Sequence, residues 1–328
     1  MNDEFSFISH ITPAKHHQQS LQVGIGDDAA IYSGSNQYDE VVCVDTMVEG
    51  VHFTKDTLTN FQIGRKALAV NVSDLAAMGA IPHYYLVSLA TPTSWTESEL
   101  KEIYDGMTDL AEPYQMDLIG GDTVSTKGPL ILTVTVIGRV EANRRLLRST
   151  ALPGDTVFLT GEVGGSATGL ALLLEQSRHA TFTIEEKRLI LAHQEPQPQV
   201  EAGRIMATMK VRISLNDVSD GVASEAFELA EASDVGIVLY EERIPLHKSM
   251  VERTRKQQMD AALYGGEDFQ LIGTIESEYF DMLQQRCNEQ GIRLTSVGKV
   301  TDESKTVQLK VKNKIYQLEK KGYNHFSR

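Results

Sequence analysis

Cysteine is nearly absent: Cys43 and Cys287 are the only 2 in 328 residues, with no C-x-x-C spacing, which excludes a disulfide framework or a thiolate zinc site as the organising feature. No run of about 18 apolar residues occurs, the length a bilayer-spanning helix needs. Basic residues are in deficit, 31 against 45 acids for a net charge of −14. That balance argues against nucleic-acid or anionic-membrane partners, which need a basic surface. No Gly-Lys-Ser/Thr closes a glycine-rich turn, and neither Asp-Phe-Gly nor a kinase catalytic loop is present, so the two common kinase folds are not on offer. Met1 to Phe5 form no basic or apolar signal region, and a reducing cytoplasm is the expected location. With 41% apolar and 23% charged residues, what remains is a globular chain long enough for two domains of about 150 residues each.

Acids in small-residue turns are what the chain has instead. Gly24-Ile25-Gly26-Asp27-Asp28-Ala29-Ala30 places adjacent carboxylates in a turn, an arrangement that is costly unless a cation sits against it. The apolar run at 41–44 predicts a buried strand stopping at Asp45, and acids at strand ends are where α/β proteins hold ligand chemistry. A simple turn-capping role is the alternative there. Residues 63–78 have helical periodicity, with Ile63, Ala67, Val70, Asp74 and Met78 on one apolar stripe. Asp74 intrudes on that stripe and must be paired or neutralised; Arg65 and Lys66, two turns earlier, are the structural alternative to a metal. Gly79 caps this helix.

A strand at 84–90, a helix at 97–114, a short buried strand at 118–119 ending in Gly120-Gly121-Asp122-Thr123, and a strand at 130–140 give the first half a β-α-β-α-β-β order. Arg144, Arg145 and Arg148 form a basic knot whose forks match phosphate oxygens, or else a solvated linker. In the second half, Gly161-Glu162-Val163-Gly164-Gly165-Ser166 follows a strand and opens a helix, a potential anion site or a tight turn. Asn216-Asp217-Val218-Ser219-Asp220-Gly221 follows another strand. If Asp217 and Asp220 flank a strand-to-helix turn, both face one metal cluster and Ser219 faces a phosphate. Tyr264-Gly265-Gly266-Glu267-Asp268 is a last acidic turn, and a hairpin is expected about Lys312-Asn313. Hard oxygen donors without a thiolate or histidine cluster select Mg2+ or Mn2+. Several such ions in one fold imply a polyphosphate and phosphoryl transfer.

These motifs, with Asp45-Thr46-Met47-Val48-Glu49-Gly50-Val51-His52-Phe53, Asn71-Val72-Ser73-Asp74-Leu75-Ala76-Ala77-Met78-Gly79-Ala80 and the tail Gly322-Tyr323-Asn324-His325-Phe326, resemble the thiamine-monophosphate kinase family nearly end to end. The resemblance implies an α/β (α+β) aminoimidazole ribonucleotide synthetase-like fold of two domains: residues 1–145, which bind ATP and Mg2+ and dimerise through the first sheet, and 146–328, which complete the active site. It implies ATP as co-substrate, several Mg2+ ions, and direct transfer of the γ-phosphate to thiamine monophosphate in a cytoplasmic homodimer. By motif match, Asp28, Asp122, Arg148 and Asp220 would be catalytic. Tyr104, Gly121, Asp122, Arg148 and Ser219 would meet ATP, and His52, Glu267, Asp268, Tyr323 and Phe326 the acceptor. Asp27, Asp28, Cys43, Val44, Asp45, Asp74, Asp122, Asp217 and Asp220 would surround the metal, with any contact at Cys43 through backbone carbonyl, since a thiol is a poor Mg2+ ligand. Relatives often carry a hydroxyl residue at Cys43 and arginines around the prolines of 193–199; both are missing, and that loop is assigned no role. Selenophosphate synthetase, an amidine-forming ligase, or a non-catalytic calcium-binding protein are the alternatives.

Overall fold

The computed structural model describes residues 19–321; the opening residues and the tail with Tyr323 and Phe326 lie outside them. Strands β1 (Leu21–Val23) and β2 (Ala30–Ser33) flank the Asp27-Asp28 turn. Then come β3 (Tyr38–Val48), α1 (Asn60–Ala77), β4 (Ile81–Pro92), α2 (Glu97–Ala111), β5 (Asp117–Thr126) and β6 (Ile131–Glu141), the β-α-β-α-β-β order expected. They form one sheet in the order β1-β2-β3-β6-β4-β5, in which only β4 and β5 run parallel.

The second half contributes β7 (Thr156–Thr160), α3 (Gly165–Gln176), α4 (Ile184–Gln194), α5 (Val200–Thr208), β8 (Ile213–Asp217), α6 (Val222–Ser233) and β9 (Gly236–Tyr240). It continues with α7 (Arg255–Tyr264), β10 (Leu271–Ile275), α8 (Phe280–Glu289), β11 (Leu294–Thr301), β12 (Thr306–Val311) and β13 (Lys314–Gln317). Their sheet runs β13-β12-β9-β11-β7-β10-β8. The β12–β13 hairpin turns at Lys312, whose φ is 53°.

Helix α1 is the axle of the molecule. A Thr59/Gln62 capping box satisfies its first amides. Its end closes with the paired bonds Gly79 N to Ala76 O and Ala80 N to Leu75 O, the latter 2.8 Å, a Schellman arrangement on the expected glycine. Buried residues cover nearly every side of it, so the single apolar stripe expected is corrected. Val70 and Asp74, one turn apart, are only half-buried and mark its cleft-facing side. The cause is packing: the first sheet, α2, α5 and β8 all contact α1. Helix α2 approaches closely because a Cβ on Gly64 would stand 1.7 Å from the Ile103 carbonyl oxygen. One buried cluster thus runs from Ile31 and Val41 through Leu68, Val72 and Leu75 to Phe158, Leu215 and Leu271. Each wholly buried leucine there contributes roughly 2 kcal/mol, and the two sheets are fixed against each other across α1.

Candidate active site

On β3 alternate residues face α1, so Val41, Cys43, Asp45 and Met47 share that face. The strand does not stop at Asp45 as expected but continues to Val48, because β6 pairs with it along its whole length. Its other edge loses β2 beyond Val42, and there the Asp45 amide donates to Asn71 Oδ1 at 3.0 Å. Asn71 is itself anchored through Nδ2 to the Ala67 carbonyl at 2.9 Å. The Cys43 thiol donates to the Asn71 carbonyl at 3.4 Å. Burial and then Asp74 push that thiol well up, so it stays protonated and offers no thiolate to a metal. Val44 points its side chain off the opposite face, 57% exposed.

Asp74 meets Asp28 from the first turn and Asp217 from the end of β8, one carboxylate oxygen of each lying within 4.8 Å of the others. Asp74 pairs with neither Arg65 nor Lys66: those bind Asp109 and Glu267, which removes the structural alternative. Burial first, then the neighbouring acids, raises Asp74 well above the carboxylate range. Asp45 is also raised, by burial. Asp27 is pushed up to about 7 by burial and Asp28, and Asp217 to about 8 by burial and Asp28, against the Ser73 hydroxyl that donates to it at 2.6 Å. Several carboxylates crowded around one cation-sized space, with amide and hydroxyl oxygens beside them, fit a hard divalent ion.

Of the arginine knot, Arg145 is taken by Asp39 and Arg148 reaches the acids. It pairs with Asp28, its Nε donates to Asn216 Oδ1 at 3.0 Å, and Nη1 lies 3.3 Å from Glu228. Asn216 in turn donates to Glu225 Oε2 at 2.8 Å. The other Glu225 oxygen accepts from the Asp220 amide at 2.8 Å and the Ser219 hydroxyl at 3.3 Å. Asn71, Ser73, Asn216, Glu225 and Glu228 were not legible as site residues: Asn71, Ser73 and Asn216 sit in quoted motifs, but partners on other elements give them their roles, and Glu225 and Glu228 sit in none.

Beside the acids opens a cleft of about 660 Å3, lined by Asp45, His52, Ser219, Asp220, Gly266 and Glu267 among others. The Val48 amide donates to His52 Nδ1 at 3.0 Å, which leaves the ring proton on Nε2. Glu267 and Phe269 both take left-handed backbone, φ 68° and 47°. That strain, on the order of 1 kcal/mol or more per residue, is held by the Glu267 and Phe269 amides donating to the carbonyls of Ser219 and Val218 at 2.7 and 2.9 Å.

Asp268, expected at the acceptor, is buried, and its carboxyl group accepts from the Gly164 and Ser166 amides at 2.6 and 3.1 Å, so it caps α3. Burial pushes that carboxyl group up to about 7 against the amide bonds, and the glycine-rich turn is filled by this side chain of the same chain.

Asp122, Gly121 and Tyr104 are not brought to the cluster within one chain. The short buried strand expected there is an exposed edge strand, β5. Gly121 lies three ladder steps from Asp45, through Val134 and Val87, or roughly 14 Å at about 4.8 Å per strand. With Tyr104, Ile119 and Thr123, these residues line a separate hollow of about 520 Å3. Gly121 has a packing reason of its own, since a Cβ there would lie 1.9 Å from the Val87 carbonyl oxygen.

The models for the N-terminal and C-terminal domains of AIR synthase related proteins match residues 26–140 and 153–310. A thiamine-monophosphate kinase of Bacillus subtilis (strain 168) is 50% identical over 325 residues, 99% of each chain. The chain belongs to the thiamine-monophosphate kinase family. A second member, from Escherichia coli (strain K12), is 34% identical over 99% of this chain and 98% of its own. A crystal structure of the family's enzyme from Stenotrophomonas maltophilia K279a, 33% identical, covers 89% of this chain and 92% of its own with a TM-score of 0.79. A structure described as AaThiL complexed with AMPPCP and TMP superposes at a TM-score of 0.84 with 29% identity, covering 99% of this chain and 97% of that one. The two-domain α/β architecture is therefore that of the family.

The raised acids give a pH prediction for the metal-free protein. Their folded-state pKa values lie above the unfolded ones, so the folded chain binds more protons and its stability falls as pH rises from about 4 through 8. Calorimetry in chelator should show the melting temperature declining across that interval. Asp217→Asn, which keeps an oxygen for Ser73, should flatten the decline and stabilise the apo protein by on the order of 1 kcal/mol at pH 8. A decline unchanged by Asp217→Asn would place the titrating groups elsewhere.

Proposed function

We propose that the chain transfers the γ-phosphoryl group of ATP directly to the phosphate of thiamine monophosphate, giving thiamine diphosphate, at the Asp28–Asp74–Asp217 cluster. The observation that carries this is the juxtaposition of that buried acid cluster and Arg148 with a cleft lined by His52, Ser219, Asp220 and Glu267. Asp27, Asp28, Asp45, Asp74, Asp217 and Asp220 would hold Mg2+, with the Cys43 carbonyl on the same open strand edge. Bound there, the ions supply charge neutralisation for the phosphates and alignment of the acceptor oxygen with the γ-phosphorus. Arg148 stabilises charge that builds as the bond breaks, Ser219 meets a phosphate, and His52 and Glu267 position thiamine monophosphate. No covalent enzyme intermediate is needed, because the acceptor already carries a nucleophilic oxygen.

The domain division at 145/146 falls in the connection between Glu141, the end of the first sheet, and Thr156, the start of the second. We place the protein in the cytoplasm as a homodimer formed through the first sheet. Supporting this, β5 is an exposed edge carrying Leu118, Ile119 and Val124, and Val44 and Tyr84 stand exposed on the sheet face turned away from α1. Sedimentation should find a dimer, and Val124→Lys should shift it to monomer with at least a tenfold loss of activity; an active monomer would end the dimer reading. Release of ADP dependent on both thiamine monophosphate and Mg2+ tests the function, and metal binding without turnover would favour a structural calcium site.

A further inference from the structure

Lys66 is fully buried in α1, and the functions above make no use of it. Its Nζ lies 2.9 Å from Glu267 Oε2 and 3.4 Å from both ring nitrogens of His193. His193, equally hidden at the end of α4, places Nδ1 3.2 Å from the same Glu267 oxygen and 3.2 Å from Ser166 Oγ. A neutral ring protonated on Nδ1 satisfies the set: it donates to Glu267 and accepts from Lys66 at Nε2. Burial, then Lys66, lowers the His193 pKa, in keeping with that neutral form. Burial alone would raise Glu267, but Lys66 and His193 outweigh it and hold the carboxylate ionised.

A wholly buried lysine is costly and is tolerated when its partner must be fixed. Here both contacts fall on Oε2, and among the described residues nothing donates to Oε1. The carboxylate belongs to a residue that lines the cleft and is 30% exposed. Its backbone strain adds a second constraint at the same point. We infer that Lys66 and His193 are positioning residues for the acceptor: together they fix Glu267 so that Oε1 accepts from an N–H donor on the base of thiamine monophosphate. The inference rests on the acceptor-cleft reading above. It also gives residues 193–199, to which the sequence assigned no role, a function at their first residue.

The test is a double-variant cycle read as the Michaelis constant for thiamine monophosphate at saturating ATP. Glu267→Gln should raise that constant. Lys66→Met, which keeps the buried volume, should raise it by on the order of tenfold or more, the loss expected for a charge-assisted contact, with a smaller change in turnover. In the Glu267→Gln background Lys66→Met should add little, because it acts through the lost carboxylate. His193→Gln should behave the same way with a smaller effect, and it carries the test should Lys66→Met fail to fold. If Glu267→Gln raises the constant but Lys66→Met and His193→Gln do not, or add in full to it, the positioning role is wrong and the cleft reading stands. If Glu267→Gln leaves the constant unchanged, the cleft reading itself fails.

Discussion

Asp28→Asn is expected to lower turnover by about a hundred- to a thousandfold, the loss seen when one preorganised group is removed from a transition-state site, while the metal-free protein stays as stable as before or gains. Two effects oppose each other in the apo state. Asp28 is an ion-pair partner of Arg148, and breaking a buried pair destabilises by about 3 kcal/mol or more. Against this, Asp28 stands among Asp27, Asp74 and Asp217, with a side chain only 1% exposed. The balance is readable, because the Asp28 pKa is raised by burial in spite of the arginine, so the ionised form is the one the empty site disfavours. Arg148 also keeps Asn216 and Glu228. Asp220→Asn should act in the same direction. Thermal melts in chelator beside steady-state rates decide the matter; a clear drop in melting temperature for both variants would make the acids structural.

Replacing Arg148 should cost 10- to 100-fold in turnover, equivalent to the roughly 1.5–3 kcal/mol of a charge-assisted contact, with little change in the constant for thiamine monophosphate. His52→Ala should do the opposite, raising that constant with a smaller effect at saturation. The structure adds a condition on the experiment. Arg148 is the cation shared by Asp28, Asn216 and Glu228, so Arg148→Ala also unpairs buried acids and should lower the melting temperature. Arg148→Lys, which preserves the charge but not the fork, separates the two: it should restore most of the stability and little of the rate. Should Arg148→Ala change only the acceptor constant and His52→Ala only that for ATP, the two substrates would be placed backwards across the cleft.

Much of this site was legible because aspartates in small-residue turns are locally anomalous. Asp27, Asp28, Asp74, Asp217 and Asp220 stand out against their neighbours, and the fold brings Asp28, Asp74 and Asp217 together from three elements. The buried pairing behind Glu267 was not legible. The sequence offers Lys66 as a partner for Asp74, yet it binds Glu267, and its burial follows from the second half of the chain closing over α1. Asp122 resembled Asp45, each an acid after an apolar run, yet one lies on an exposed edge strand and the other on a buried face. Pairing partners decide that, and a single strand does not name them. The helices at 184–194 and 255–264 went unassigned although each opens on a threonine capping box, Thr183/Glu186 and Thr254/Gln257. That local signal was available. The segment 193–199 lacked arginines and was set aside, but its backbone serves the contacts: Pro196 and Pro198 offer carbonyls to Arg65 and Tyr114.

The most direct measurement follows the label from γ-labelled ATP with Mg2+, with and without thiamine monophosphate. With the acceptor present, the label should appear in the terminal phosphate of thiamine diphosphate in step with ADP release, and Asp28→Asn should abolish both. Without the acceptor, neither labelled protein nor ADP should accumulate. A labelled aspartate or histidine, or ADP release indifferent to thiamine monophosphate, would contradict direct transfer at the Asp28–Asp74–Asp217 site.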